Sequence, residues 1–179
     1  MITNIINIIT FSRIVCAILI YLFLYLESHY LIALLLFATA SFSDFLDGYL
    51  ARKTNSESVL GEILDPIADK LLIVFVLIGL SINLNSFLVG FISAVIISRE
   101  IWVAALRDIN SRNNQSEKTK VTFLAKTKTA IQMLAILLYL FGLTINNMMI
   151  LFFADIVLII ALLVTIQTGF QYTISTFKK

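Results

Sequence analysis

Cysteine and histidine are almost missing from this chain of 179 residues, which has one of each. A single cysteine, Cys16, cannot close a disulfide within the chain, and in an apolar run it says nothing about redox compartment. A single histidine, His29, excludes a metal centre built on several imidazoles. Charge is scarce too: 13% of residues are Asp, Glu, Lys or Arg, against 60% hydrophobic residues and a mean hydropathy of +0.98. A soluble domain of this length cannot hide so much apolar surface, so the composition implies an integral membrane protein. The net charge of +2 is unremarkable, no nucleic-acid partner is expected, and neither a low-complexity tract nor a convincing internal repeat is present.

What charge there is falls in a pattern. Residues 1–12 carry none, and Arg13 then precedes an apolar run over 14–26. The early positive charge and small-residue cleavage site of a signal peptide are not clear, so a short interfacial segment followed by a retained span is expected. Polar residues at 27–30 make a turn, and those at 52–58 a loop in which Thr54 and Glu57 match a helix-starting capping box. The run 71–98 is uncharged and too long for one span of about 20 residues; polar residues at 81–86 divide it. Asn146 and Asn147 mark a further turn. The predicted fold is an all-α integral membrane protein, a single domain over 1–179, with transmembrane helices at about 13–27, 31–51, 57–80, 86–107, 126–144 and 148–170. With both termini in the cytoplasm, all 13 Lys and Arg fall on the inner side or in the inner half of a helix, a strong positive-inside signal.

Against that background stand Asp44, Asp47, Asp65 and Asp69. Carboxylates inside apolar helices are costly to desolvate and mark function. Asp44 and Asp47 are three apart and Asp65 and Asp69 four apart, so each pair shares a helix face, and the pairs can converge if the second and third spans are neighbours. At about 1.5 Å per residue, Asp44 lies roughly 12 Å from Arg52, inside the membrane but near its cytoplasmic surface. Four such anions need protonation, basic partners or bound cations. Oxygen-only ligands suit Mg²⁺ or Mn²⁺ rather than zinc, and two such ions sharing carboxylates make a site for phosphate chemistry. Gly48, Ala51 and Gly61 let a ligand or a neighbouring helix approach closely; taken singly, each is equally explained by packing.

The pattern Asp44-x2-Asp47-Gly48-x2-Ala51-Arg52-x8-Gly61-x3-Asp65-x3-Asp69 resembles the full signature of the CDP-alcohol phosphatidyltransferases. The resemblance implies attack by an alcohol on the diacylglycerol-side phosphate of CDP-diacylglycerol, with release of CMP. It further implies that Asp44, Asp47 and Asp65 bind a divalent metal, two ions in all, and that Asp69 contacts metal and serves as the base. Gly48, Ala51, Arg52 and Gly61 would line the CDP site. A polar cavity open to the cytoplasmic side of a bacterial-type inner membrane, surrounding lipids and a homodimer are implied in the same way.

The acceptor is read from other residues. Arg99-Glu100 with Leu106-Arg107 resembles the fourth helix of the bacterial phosphatidylglycerophosphate synthases, and Ala125-Lys126-Thr-Lys128-Thr129 resembles their Gly-Lys-x-Lys-Thr segment, with Ala125 in place of glycine. Both imply glycerol 3-phosphate as partner, its phosphate held by Arg99, Lys126, Arg107 and Lys128; the bland alternative is that these bases only fix orientation. Asn7, Thr10 and Arg13 match the family's Pro-Asn-x-x-Thr-x-x-Arg with Ile6 for proline, and either support a headgroup or cap the first helix. Asp155 is expected to pair with a polar neighbour such as an outer-turn asparagine, and Trp102 to anchor at the interface. Competing readings are a cardiolipin, phosphatidylinositol phosphate or phosphatidylserine synthase of the same family, a divalent-cation transporter, and a noncatalytic scaffold.

Overall fold

A computed structural model describes residues 2–54, 59–115, 117 and 123–178, with side chains for 10–43, 64, 67–115, 117, 124 and 127–178. Among these residues the chain is helical without strands: α1 (Ile2–Tyr25), α2 (Tyr30–Thr54), α3 (Val59–Asn83), α4 (Phe87–Arg112), α5 (Phe123–Thr144) and α6 (Met148–Phe177).

The helices stop where the sequence offers a residue that tolerates the left-handed conformation. Glu27 (φ 50°), Asn85 (φ 45°), Asn114 (φ 54°) and Asn146 (φ 50°) each follow a helix end. Beyond each, an N–H reaches back to an orphaned carbonyl: Ser28 to Phe23 at 3.1 Å, Ser86 to Ser81 at 3.1 Å, Gln115 to Asn110 at 2.7 Å and Asn147 to Gly142 at 2.9 Å. This is the Schellman closure, with asparagine in glycine's usual place at three of the four ends. Ser86 and Asn147 then cap the following helices through their side chains.

Two boundaries differ from expectation. α1 is continuous from Ile2, with no separate segment over 1–12, because nothing between Ile2 and Tyr25 breaks a helix: there is no glycine and no proline. α4 and α6 also outrun their expected ends, to Arg112 and Phe177. In the polar tail of α6, Thr173 and Thr176 donate to the carbonyls of Gly169 and Tyr172 one turn back, which satisfies their hydroxyls within the helix. The Thr54–Glu57 capping box lies partly outside the described residues, and Thr54 itself ends α2.

α3 packs on α1, α4 and α5, while α2 leans on α1 and α5, and α6 on α4 and α5. Ile20 and Leu24 of α1, Phe37 of α2, Leu77 and Leu80 of α3 and Leu140 of α5 are fully buried in one core. Asn83 ties three helices at one end of the bundle, donating to the Leu24 carbonyl at 2.8 Å and to the Tyr30 hydroxyl at 3.0 Å. α5 and α6 approach so closely that a Cβ on Gly142 would lie 2.8 Å from Leu151 Cδ2. Large apolar side chains point outward instead of in: Phe87 is 86% exposed and Met148 79%, a surface suited to lipid. Three helical stretches, Phe87–Arg112, Thr127–Thr144 and Met148–Phe177, are long and apolar enough to cross a membrane, with shorter apolar ones at Thr10–Tyr25 and Tyr30–Ser43.

Asp155 does find a polar partner, but it is Tyr139 on α5, whose hydroxyl donates to Oδ1 at 2.5 Å, and not an asparagine of the turn. Removing that hydroxyl should leave the carboxylate short of a donor. Tyr139→Phe is therefore expected to lower thermal stability in detergent by about 1–3 kcal/mol with turnover unaffected, as measured by thermal unfolding alongside an activity assay.

Candidate active site

Successive helices run in alternating directions, so the start of α1, the end of α2, the start of α3, the end of α4, the start of α5 and the end of α6 share one end of the bundle. The charged residues collect there. Arg13, 1% exposed on α1, donates through a terminal nitrogen to Asp69 Oδ1 of α3 at 2.6 Å, and the Asp69 side chain is 31% exposed. A guanidinium so deeply buried requires an anionic partner, and Asp69 supplies one. Thr10, one turn earlier, is fully buried. The side chain of Asn7 lies outside the described residues. Arg13 thus holds a carboxylate of the signature.

A cavity of about 520 Å³ opens beside that carboxylate. Asp69 and Lys70 of α3, Arg99, Glu100 and Arg107 of α4, and Lys128 of α5 form its polar wall, with Ile73, Ile96 and Ile97 among the apolar residues behind it. Glu100 organises the cations. Its Oε1 accepts from Arg99 at 3.0 Å and from the Lys128 ammonium, which ties α4 to α5. Arg99 also donates to Thr168 Oγ1 of α6 at 2.9 Å, and only 9% of its side chain is exposed. Three of the four bases proposed from the sequence, Arg99, Arg107 and Lys128, therefore line one cavity with Asp69. The fourth, Lys126, lies on α5 with its side chain outside the described residues.

Glu100 and Thr168 were not singled out from the sequence. Glu100 sat in plain view beside Arg99, and its signal was a carboxylate placed among bases. Thr168 gave no signal, since a hydroxyl in an apolar helix usually bonds its own backbone. Trp102 is half-exposed and donates to Thr173 Oγ1 at 2.9 Å on the α4–α6 face, away from the cavity wall.

The remaining signature residues are known here by backbone alone. Asp44, Asp47, Gly48, Ala51 and Arg52 lie on the last turns of α2, and Gly61 and Asp65 on the first turns of α3; their side chains lie outside the described residues. The helical backbone keeps Asp44 with Asp47, and Asp65 with Asp69, on common faces. Among the described residues α2 and α3 have α1 and α5 as shared neighbours. In its donor chemistry the set fits a hard divalent cation: every candidate ligand is a carboxylate, and the one whose side chain is described, Asp69, faces the cavity.

A model of the CDP-alcohol phosphatidyltransferase family matches residues 3–167. The chain belongs to that family. Its family match includes the whole Asp44–Asp69 signature and all four bases and ends just short of Thr168. Among curated relatives, the CDP-diacylglycerol–glycerol-3-phosphate 3-phosphatidyltransferase of Rickettsia bellii is 39% identical over 94% of this chain and 93% of its own length. The protein of the same name from Haemophilus influenzae is 38% identical over 84% and 80% respectively, and that of Escherichia coli K12 is 35% identical over 58% and 57%. This phosphatidyltransferase therefore resembles relatives that share one name, the Rickettsia protein over nearly its full length.

The Arg13–Asp69 pair yields a test that separates folding from chemistry. Arg13→Gln leaves Asp69 without its buried cation and is expected to cost about 1–3 kcal/mol of stability, the partly exposed carboxylate being screened by water. Adding Asp69→Asn should recover most of that stability while turnover stays lost. Thermal unfolding of the single and double variants, with CMP release measured on each, reads both outcomes.

Proposed function

We propose that this chain transfers the phosphatidyl group of CDP-diacylglycerol to glycerol 3-phosphate, giving phosphatidylglycerophosphate and CMP. The observation that carries the reading is the shared cavity, in which the Asp69 carboxylate faces a wall of Arg99, Arg107 and Lys128. An acceptor with a hydroxyl at one end and a phosphate dianion at the other matches that division of charge. The names of the relatives support the same donor and acceptor.

In this mechanism Arg99, Arg107, Lys128 and Lys126 bind the acceptor phosphate by charge-assisted hydrogen bonds. Glu100 spaces Arg99 and Lys128 and limits the repulsion between them. With its phosphate fixed, the acceptor presents a hydroxyl to Asp69, which takes the proton as the oxygen attacks the diacylglycerol-side phosphorus. The new P–O bond forms as the bond to the CMP oxygen breaks, and CMP leaves with that electron pair. Arg13 holds the Asp69 carboxylate in place through its hydrogen bond to Oδ1. Asp44, Asp47, Asp65 and Asp69 would hold Mg²⁺ or Mn²⁺, whose chemistry is to neutralise and orient the diphosphate oxygens. Gly48, Ala51, Arg52 and Gly61 line the CDP portion.

The same reading takes residues 1–179 as one membrane domain of six spans, in a bacterial inner membrane, with both termini and the charged end in the cytoplasm. Its support is the one-sided distribution of Lys and Arg. Water-soluble glycerol 3-phosphate then reaches the site, and CMP leaves it, on the cytoplasmic side, while the diacylglycerol tails of the donor stay in lipid. A homodimer belongs to the reading through the family resemblance alone.

An acceptor panel with CDP-diacylglycerol tests it. CMP should appear with glycerol 3-phosphate, disappear on chelation and return with Mg²⁺ or Mn²⁺, whereas CMP release with phosphatidylglycerol or serine and none with glycerol 3-phosphate would contradict the reading. Asp69→Asn is expected to lower turnover by about 10²–10⁴-fold, the range for loss of a general base.

A further inference from the structure

The two arginines of the cavity wall meet on a residue of another helix. Arg99 and Arg107 sit on α4 about 12 Å apart along its axis, yet their guanidinium carbons lie 5.6 and 5.5 Å from the centre of one ring, that of Tyr172 on α6. The ring is 3% exposed and packs with Val103 and Leu106, which fall between the two arginines in sequence. Aromatic faces attract cations within about 6 Å, so one ring gathers two like charges that would otherwise separate. Thr168, one turn earlier on the same face of α6, accepts from Arg99. Between them, Gly169 allows Arg99 to lie against the backbone, since a Cβ there would stand 3.2 Å from Arg99 Cγ.

Among the described residues the gathered charge is not fully answered by acceptor groups. Arg99 Nε and Arg107 Nε are buried with no hydrogen-bond partner among the described residues. Glu100 is shared between Arg99 and Lys128, and Asp69 already faces Arg13. The face of the Tyr172 ring orients the two guanidinium groups without accepting a hydrogen bond from them. The remaining donors call for a ligand with several acceptor oxygens and more than one negative charge.

We propose that the end of α6, Tyr172 with Thr168 and Gly169, determines acceptor specificity by holding Arg99 and Arg107 as a guanidinium pair that selects an alcohol bearing a phosphate dianion. The inference rests on the reading of those arginines as acceptor-phosphate ligands. Tyr172 is a positioning residue, acting through the arginines.

The test is steady-state kinetics on the full chain in detergent, varying glycerol 3-phosphate and CDP-diacylglycerol separately. Tyr172→Leu is expected to raise KM for glycerol 3-phosphate about tenfold, the scale of a lost desolvated cation–π contact, with KM for CDP-diacylglycerol unchanged. Tyr172→Phe, which keeps the ring, should retain the wild-type KM for the acceptor. Gly169→Ala should raise the acceptor KM by displacing Arg99 without touching the ring, and it decides the question if Tyr172→Leu does not fold. An unchanged acceptor KM in Tyr172→Leu and Gly169→Ala, or equal rises in both KM values, would overturn the inference. Wild-type protein that releases no CMP in response to glycerol 3-phosphate would overturn the acceptor reading instead.

Discussion

A carboxylate set among apolar helices persists as an anion only if positive charge is brought to it, and in this chain Arg13 is brought to Asp69. The contact joins α1 to α3 at 2.6 Å, with the arginine almost wholly removed from solvent. Much else follows from accommodating that pair. α1 has to continue unbroken past Ser12 so that Arg13 enters the bundle on a helix. α3 has to carry its acidic residues on its first turns, where it meets the same end of α1. The other half of the bundle carries little charge beyond Asp155 and the turn residue Glu27, and packs as a continuous apolar core whose helices end at left-handed Glu27, Asn85 and Asn146.

The same constraint divides the charged end into two functions. On one side is a carboxylate already paired with a buried base; on the other are Arg99 and Lys128, which share the carboxylate of Glu100, and Arg107, with donor capacity to spare among the described residues. Only a ligand that is anionic at one end and carries a proton to lose at the other makes use of both sides. α4 is central to this division because it supplies Arg99, Glu100 and Arg107, and it is positioned by α5 through Lys128 and by α6 through Thr168 and Tyr172. The cavity is thus a three-helix construction beside a two-helix ion pair.

Much of this was legible in the sequence, for identifiable reasons. Helix number and turn positions followed from uncharged runs broken by polar residues, because lipid leaves an apolar chain few alternatives to helix. Asp69, Arg99, Arg107 and Lys128 were conspicuous as charges where charge is costly. What escaped was pairing across distant sequence. That Arg13 meets Asp69 depends on the rotation of α1 against α3, and that Tyr172 lies between two arginines depends on how far α6 extends beyond its apolar stretch. Neither is encoded in spacing along one helix. Glu100 was visible as a residue but not as a bridge, since its partner Lys128 arrives from another element. The separate segment expected over 1–12 is instead the start of α1, since no glycine or proline stops the helix after Ile2.

The division of labour between bases and carboxylate can be measured without catalysis. Calorimetric titration of glycerol 3-phosphate into the full chain in detergent, with no CDP-diacylglycerol present, compares wild type with Arg99→Ala, Lys128→Met and Asp69→Asn. Binding should weaken by about tenfold or more in the two cation variants, each losing a charge-assisted contact worth roughly 1.5–3 kcal/mol, and should persist in Asp69→Asn. Binding abolished in Asp69→Asn and retained in Arg99→Ala and Lys128→Met would contradict the account, because the phosphate would then sit at the carboxylate and not at the bases.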